Sequence, residues 1–169
     1  LRKQGAEVDV IMTRSAANFI TPLTLQSLSG NHVVVEMFEK PVSWEIKHIS
    51  LAKKADIFVI IPATADIIGK MANGIADDML STTVMATKAP VLIAPAMNTN
   101  MYENPIVQDN MKKLKEYGYF FTEPECGRLA CGDVGRGKLA DVDDIIDDMS
   151  VILNNKKDYK GLTVMVTAG

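Results

Sequence analysis

Short runs of apolar residues alternate along the chain with longer segments in which apolar residues recur every three or four positions. Residues 57–61 (Ile-Phe-Val-Ile-Ile) and 91–94 (Val-Leu-Ile-Ala) are uninterrupted apolar runs, which favour strands that are covered on both faces. The pattern over residues 7–12 and 33–37 predicts two further strands. We therefore expect four strands separated by helices.

Helix starts are marked by cap residues. Thr21 precedes Pro22, and Asn104 precedes Pro105, and a cap residue followed by proline is a common opening of a helix. After Asp141, apolar residues follow a 3.6-residue period to position 153, and residues 44–54 also fit an amphipathic helix. Strands that alternate with helices predict an α/β fold: a doubly wound, mostly parallel, three-layer sheet of the Rossmann or flavodoxin-like type.

The composition narrows the class of protein. A length of 169 residues, with 47% hydrophobic and 23% charged residues, is typical of about one globular domain. A net charge of −3 offers no basic face for nucleic acid, and no apolar run reaches the ~18 residues of a membrane span. Cys126 and Cys131 have no second pair or nearby histidine, so we expect neither a disulfide framework nor a metal site. This favours a cytoplasmic location.

Three loops follow predicted strands, and ligands of such folds bind beyond the carboxyl ends of the strands. They are residues 13–16 (Thr-Arg-Ser-Ala), 62–66 (Pro-Ala-Thr-Ala-Asp) and 95–98 (Pro-Ala-Met-Asn). Small side chains in such loops let backbone amides approach a flat, partly anionic ligand closely. The same sequences would also suit ordinary turns.

Four segments resemble, in the same order, motifs of the flavin-containing cysteine decarboxylase family. Residues 95–101 (Pro-Ala-Met-Asn-Thr-Asn-Met) match its most specific motif, and residues 62–66 are similar to its Pro-Ala-Ser-Ala-Asn-Thr loop. His48 lies in a segment that resembles the active-site histidine segment, and residues 130–138 resemble the substrate-covering flap. Asp66 stands where the family has asparagine, which removes an amide donor near the flavin.

The resemblance implies an FMN enzyme that converts the small molecule 4′-phospho-N-pantothenoylcysteine to 4′-phosphopantetheine and CO2 in coenzyme A biosynthesis. In this reaction the substrate thiol is oxidised to a thioaldehyde, and the loss of CO2 then gives an enethiol. Addition of a hydride and a proton to the enethiol completes the reaction. His48 takes the position of the catalytic histidine. Asn98 takes that of the amide that binds the substrate carboxylate, and Cys131 that of the final acid. Asn98 would also suit a helix cap, and His48 the exposed face of a helix.

The remaining expected contacts follow from the same resemblance, which also implies a homotrimer with FMN near a subunit boundary. The substrate contacts are Asn98, Met101, Ala130 and Gly132. The cofactor contacts are Thr13, Ser15, Phe19, Pro62, Ala63, Thr64, Ala65, Asp66, Ser81, Thr82 and Met97. The first strand of the family and its glycine-rich phosphate loop would precede Leu1, so we expect the strand to be missing from this chain.

Both ends of the chain suggest a fragment of a longer polypeptide. We assign residues 1–154 to an FMN-binding decarboxylase domain. Residues 155–169 begin as a lysine-rich linker and continue as a strand that ends in Thr-Ala-Gly. This segment resembles the opening of a phosphopantothenate–cysteine ligase domain, which predicts a bifunctional protein. An edge strand of the flavin domain is the alternative.

Two other functions are compatible with this fold. One is a related flavoprotein that acts on the C-terminal cysteine of a peptide, or a flavin prenyltransferase. The other is a regulatory relative that binds FMN and a partner protein without catalysis. Because His48, Asn98 and Cys131 are all present, we favour an active decarboxylase.

Overall fold

A computed structural model describes residues 1–37, 47–129, 132, 134–154 and 165 of the chain. Its α-helices are α1 (Pro22–Ser29), α2 (Lys47–Lys54), α3 (Ala65–Ala72), α4 (Met79–Ala86), α5 (Thr99–Tyr102), α6 (Pro105–Glu116) and α7 (Val142–Leu153), and short 3-10 helices span Arg2–Gln4 and Ala16–Asn18. Its strands are β1 (Phe58–Ala63), β2 (Val91–Pro95), β3 (Phe120–Phe121), β4 (Glu125–Arg128) and β5 (Val134–Lys138).

The centre of the fold is a parallel sheet with the strand order β1-β2-β3. Val59 pairs with Leu92 in β2, and Leu92 pairs in turn with Phe120 in β3. Every residue of β2 is buried, as expected for an apolar strand with a neighbour on each edge and a layer on each face. The predicted strands at 57–61 and 91–94 are thus confirmed, with small shifts at their ends.

Alternate residues of β2 contribute to two separate cores. Val91 and Ile93 pack in a cluster with side chains of α3, α4 and α6, whereas Leu92 and Ala94 pack with side chains of α7. Because successive side chains of a strand point to opposite faces, these helices cover both faces of the sheet. The predicted three-layer, doubly wound architecture is confirmed.

The amino-terminal segments form less sheet than the sequence predicts. Residues 7–12 and 33–37 are joined by a single parallel bridge between Ile11 and Val34. The Met12 amide donates to the Val34 carbonyl at 2.9 Å, and the Val34 amide donates to the Val10 carbonyl at 3.0 Å. Residues 1–7 are exposed, so this end of the segment lacks the packing that would extend the ladder.

The helix caps follow the sequence signals closely. The Asn104 side chain accepts a hydrogen bond from the Ile106 amide, and the Asp141 side chain accepts one from the Asp143 amide, each at 2.9 Å. The Thr21 hydroxyl accepts a longer bond from the Thr24 amide at 3.4 Å. These bonds satisfy amides that a helix start leaves unpaired, so the three predicted starts are confirmed.

Some of the predicted elements fall on residues outside the described ranges. This applies to the start of the predicted helix at 44–54 and to the predicted linker and strand at 155–169, apart from the exposed Met165. Within the described ranges, no helix is long and apolar enough to cross a membrane.

Candidate functional site

The loops that follow β1 and β2 meet at the carboxyl edge of the sheet. Ala63 pairs with Pro95 across the two strands, and the Ala96 amide donates to the Ala63 carbonyl at 2.9 Å. Residues 62–66 and 95–101 are therefore neighbours, as the parallel topology predicts.

The β4–β5 hairpin lies directly on the second of these loops. The Met97 amide donates to the Gly137 carbonyl at 3.0 Å. Gly137 has a φ of 129°, and a Cβ at this position would overlap the Met97 carbonyl oxygen. A Cβ at Gly135 would similarly overlap the Thr99 side chain. The two glycines let the hairpin backbone approach this closely.

These contacts correct one part of the sequence-based account. The backbone amides of Ala96 and Met97 already bond to Ala63 and Gly137, so the structure uses them to join its own elements. The Met97 side chain is half-buried against the core cluster of α3, α4 and α6. The predicted contact between Met97 and the cofactor therefore stays a prediction.

Replacing Gly137 by alanine should detach the hairpin from residues 95–101. The matched control is Gly118→Ala, because Gly118 has a φ of 91° but no atom within 4 Å of the place that an alanine methyl group would take. Both variants bear backbone strain on the order of 1–3 kcal/mol, and Gly137→Ala adds the overlap. Urea unfolding should show a larger loss for Gly137→Ala, and equal losses would contradict the contact.

Asn98 is the cap of α5. Its side-chain oxygen accepts a hydrogen bond from the Asn100 amide at 2.9 Å, so the cap alternative from the sequence is confirmed. This bond assigns the oxygen to the helix and the NH2 group to the other side of the planar amide. Binding of a substrate carboxylate by that NH2 group stays a prediction, and both roles are compatible.

The end of β1 and the residues that follow it present small side chains around one hydroxyl. The peptide bond between Ile61 and Pro62 is cis, Ala63 is buried, and Thr64 is exposed. Thr64 stands at the cap position of α3, yet its side chain makes no capping bond. A hydroxyl in this place, with Ala65 beside it, fits a donor to the polar edge of a flat ligand.

Lys70 joins this loop to the start of α4. Its ammonium group lies 3.5 Å from the Asp66 carboxylate, 3.0 Å from Asp77 and 3.6 Å from Asp78. The hydrogen bond to Asp77 is the main cause that raises the pKa of Lys70, so this side chain stays charged. Asp66 thus belongs to an ion-pair cluster around Lys70.

Ser81 and Thr82 have roles in α4 that the sequence did not reveal. Asp78 and Ser81 form a capping box: the Ser81 amide donates to the Asp78 carboxylate at 2.7 Å, and the Asp78 amide donates to the Ser81 hydroxyl at 3.1 Å. Ser81 is fully buried, and the Thr82 hydroxyl donates to the Ala76 carbonyl at 3.3 Å. Their predicted contacts with the cofactor phosphate stay predictions.

Asp78→Ala should destabilise the protein by about 1 kcal/mol, since it removes this cap. Burial of the Asp78 carboxyl opposes its ionisation, but hydrogen bonds from Ser81 and the charge of Lys70 outweigh burial and lower its pKa. Its stabilising effect should therefore be complete above the ordinary aspartate pKa of about 3.9 and decline as the pH falls through the lower folded value. Asp78→Asn keeps a good cap residue and should lose less at neutral pH in thermal melts.

The other predicted cofactor and catalytic residues lie on separate elements. The Thr13 hydroxyl accepts a bond from the Ala16 amide at 3.1 Å, Ser15 is exposed, and the Phe19 side chain is 92% exposed. His48 is half-buried on α2, which packs against α4. In the part of the chain that the structure describes, no hydrogen bond joins these residues to residues 62–66 or 95–101.

The tip of the hairpin is described only in part. Ala130, Cys131 and Asp133 lie outside the described residues, whereas Gly132 has a φ of 93°, a conformation that glycine favours. Met101 is 47% exposed at the end of α5. The predicted roles of Ala130, Cys131, Gly132 and Met101 stay predictions.

A cavity of about 730 Å³ lies at the opposite end of the sheet, at the amino ends of β2 and β3. Its lining includes Val91, Tyr117 and Phe120 and none of the predicted site residues. Across the described ranges, no group of three histidine, cysteine or acidic side chains could hold a metal ion. The carboxyl edge is therefore the better candidate site.

The carboxyl edge of this parallel, doubly wound sheet has loops of small residues, with Thr64 and the exposed Ile61 among them. A flat ring can cover such a surface, so the fold and the site fit a flavin-binding protein. A model of the Flavoprotein family matches residues 1–153, and the chain belongs to this family. Flavin is thus the cofactor class of this fold.

Curated relatives narrow the comparison further. The chain is 46% identical over 171 residues to the coenzyme A biosynthesis bifunctional protein CoaBC of Bacillus subtilis, and 44% identical over 169 residues to that of Haemophilus influenzae. It covers 42% of each of these two relatives and matches them over 100% of its own length. A probable phosphopantothenoylcysteine decarboxylase of Streptococcus mutans is 47% identical over 148 residues, 86% of this chain and 83% of the relative.

Solved structures agree with this family. A Cys-to-Ser mutant of PPC decarboxylase in complex with pantothenoylaminoethenethiol has a TM-score of 0.76 and 31% identity, covering 88% of this chain and 84% of its own. The FMN-dependent cysteine decarboxylase SpaF has a TM-score of 0.74 and 35% identity, covering 87% of this chain and 78% of its own.

Proposed function

We propose that the protein is an FMN-dependent decarboxylase of 4′-phospho-N-pantothenoylcysteine that yields 4′-phosphopantetheine and CO2 for coenzyme A biosynthesis. The observation that carries this proposal is the junction of three motif segments at one sheet edge. Backbone hydrogen bonds join Ala96 to Ala63 and Met97 to Gly137. Residues 62–66, residues 95–101 and β5 therefore lie next to one another at the carboxyl edge of the sheet. The names of the relatives support the choice of substrate.

We assign the flavin as FMN, in keeping with the FMN-dependent structural neighbours. A bound FMN would supply the two-electron oxidation of the substrate thiol and its later reversal. The exposed Thr64 hydroxyl would bond to the ring system beside Ala63 and Ala65. Hydroxyls of the 13–16 loop and of Thr82 on α4 are the candidates for contacts with the phosphate, since the Ser81 hydroxyl is buried and bonded to Asp78.

The substrate would lie between this loop and the hairpin. The NH2 group of Asn98 would donate to the cysteinyl carboxylate, and Met101 would contact the apolar part of the substrate. His48 would act as the catalytic acid–base group, and Cys131 would return a proton to the enethiol after CO2 has left. The hairpin over residues 95–101 would exclude water from these steps.

A decarboxylase that acts on peptides ending in cysteine is the second candidate, because the likeness to SpaF, an FMN-dependent cysteine decarboxylase, leaves room for another cysteine-containing substrate. The flavin-bound full-length protein should be offered 4′-phospho-N-pantothenoylcysteine and a peptide with a C-terminal cysteine in separate reactions. Release of CO2 from the first compound alone supports the proposal. Release from the peptide alone would favour the second candidate, and FMN binding without turnover of either would favour a regulatory relative.

We further propose that the natural protein is a cytoplasmic homotrimer in which residues 155–169 lead into a ligase domain. The pattern of a polar linker followed by a strand supports this, as does the 42% share of the bifunctional relatives that the chain spans. Light scattering of the full-length protein would test the trimer. An assay that joins phosphopantothenate to cysteine would test the ligase.

A further inference from the structure

A cationic cleft lies at the same sheet edge as the candidate site, one strand further along. It is a cavity of about 490 Å³ between α5, α6 and the base of the hairpin. Its lining includes Tyr102, Glu103, Lys112, Lys115, Glu123 and Arg136.

The cleft is continuous with the candidate site along α5, along β5 and between the residues that follow β2 and β3. Asn98 and Tyr102 stand at the two ends of α5, about 6 Å apart along the helix axis. Arg136 lies between Gly135 and Gly137, the two residues that rest on Thr99 and Met97. The residues after β2 and β3 are separated by one strand spacing, about 4.8 Å. A ligand at Asn98 can therefore extend into the cleft.

One acidic residue in the cleft is already neutralised. The Glu123 carboxylate accepts hydrogen bonds from the Lys115 ammonium at 3.1 Å and from the Tyr102 hydroxyl at 3.2 Å. Burial opposes ionisation of Glu123, but the bond and charge of Lys115, the bond from Tyr102 and the charge of Arg136 outweigh burial and hold the pKa of Glu123 below its ordinary value. The opposite charges of Glu123 and Lys115 cancel, so this ion pair contributes no net charge to the cleft.

Lys112 and Arg136 are the other two cations of the cleft, and the charge of Arg136 also acts on Glu123. Both are exposed, and neither makes a hydrogen bond or ion pair with a residue that the structure describes. Besides Glu123, which pairs with Lys115, Glu103 is the only carboxylate among the described residues that line the cleft. The cleft thus has three cations against two anions, whereas the whole chain has a net charge of −3. A local excess of positive charge on an acidic chain attracts an anion.

A phosphate monoester is the anion that fits this pair of side chains. The planar guanidinium of an arginine binds two phosphate oxygens at once, and a lysine adds a compact charge. The substrate of the proposed function has such a group at the end opposite its cysteinyl carboxylate. FMN also has one, but the loop proposed for the flavin follows β1, on the other side of β2 from the cleft.

We propose that Arg136 and Lys112 bind the phosphate of the substrate while Asn98 binds the carboxylate at its other end. This inference rests on the proposed function and extends it to specificity. Two anchors at opposite ends of one molecule fix its position along the sheet edge, and the phosphate contact makes the protein prefer phosphorylated substrate.

The test compares 4′-phospho-N-pantothenoylcysteine with N-pantothenoylcysteine, which lacks the phosphate, in the flavin-bound full-length protein. Arg136→Ala and Lys112→Ala should each lower kcat/KM for the phosphorylated compound roughly tenfold, mainly through KM. The loss should be confined to the phosphorylated compound, and Arg136→Lys should restore part of it. Lys113→Ala is the matched control, because Lys113 is on the same helix but does not line the cleft.

A binding measurement separates this inference from the proposed function. Calorimetry with S-methyl-4′-phosphopantetheine, whose methylated sulfur cannot be oxidised and which is neither substrate nor product of a ligase domain, should show weaker binding in the Arg136 and Lys112 variants than in Lys113→Ala. Equal binding in all three variants, or equal losses with both substrates, would overturn the inference while the decarboxylase stands. Release of FMN from the two cleft variants would overturn it too, because it would assign the cleft to the flavin phosphate. Wild-type protein that turns over neither substrate would instead refute the proposed function.

Discussion

Replacing Asn98 by aspartate should reduce CO2 release by roughly 100-fold or more while the protein stays folded. Aspartate caps helices as well as asparagine does, so the bond from the Asn100 amide and the start of α5 should persist. The substituted side chain cannot donate a hydrogen bond, and its charge faces the cysteinyl carboxylate of the substrate. Such a like-charge contact costs several kcal/mol.

The matched control for this variant is Asn104→Asp. Asn104 caps α6 through the same kind of bond, to the Ile106 amide at 2.9 Å, but it does not belong to the candidate site. Both variants should retain flavin and melt near the wild-type temperature, and only Asn98→Asp should lose activity. Full turnover by Asn98→Asp would mean that Asn98 is a helix cap alone.

Replacing Cys131 by serine should stop the reaction after CO2 has left. A serine hydroxyl is a much weaker acid than a thiol, so the last proton transfer should slow by about 10²–10⁴-fold. The decarboxylated enethiol should therefore accumulate in place of 4′-phosphopantetheine. Mass spectrometry distinguishes the two compounds, because the enethiol is lighter by two hydrogen atoms.

Cys126→Ser is the control for the second cysteine. Cys126 is exposed on β4 and has no predicted role, so this variant should yield the ordinary product. A normal yield of phosphopantetheine from Cys131→Ser would remove the residue from the mechanism. A loss of 4′-phosphopantetheine with Cys126→Ser alone would instead assign the final proton transfer to Cys126 on β4.

The parts of the fold that could be predicted are those with a strong local signal. Residues 57–61 and 91–94 are apolar throughout because β1 and β2 have helices on both faces. Asn104 and Asp141 predict the starts of their helices correctly, because each side chain accepts a hydrogen bond from the amide two residues later. Such signals act within a few residues and need no distant partner.

The parts that were missed depend on distant partners. β3 has only two residues, Phe120 and Phe121, too few for a period to show, and it forms by pairing with β2. β5 has two glycines among its five residues, which sequence reasoning associates with loops. It is a strand because it pairs with β4 and because Gly137 bonds to Met97.

The candidate site likewise has some features that follow from a local sequence signal and others that depend on distant partners. The meeting of residues 62–66 and 95–101 follows from the parallel sheet and could be predicted. The burial of Ser81 in its capping box with Asp78 could not, since it depends on how α4 packs. The use of the Met97 amide by the hairpin likewise depends on a contact with a residue 40 positions away, Gly137.

The most direct test of the account is the product balance of the wild-type, full-length protein with FMN and 4′-phospho-N-pantothenoylcysteine. Because the substrate thiol is oxidised and later reduced within one cycle, no external oxidant or reductant should be consumed. We predict one CO2 and one 4′-phosphopantetheine for each substrate lost, with the flavin oxidised before and after turnover. No CO2 from a flavin-bound protein, or one CO2 for each flavin with the flavin left reduced, would contradict the account.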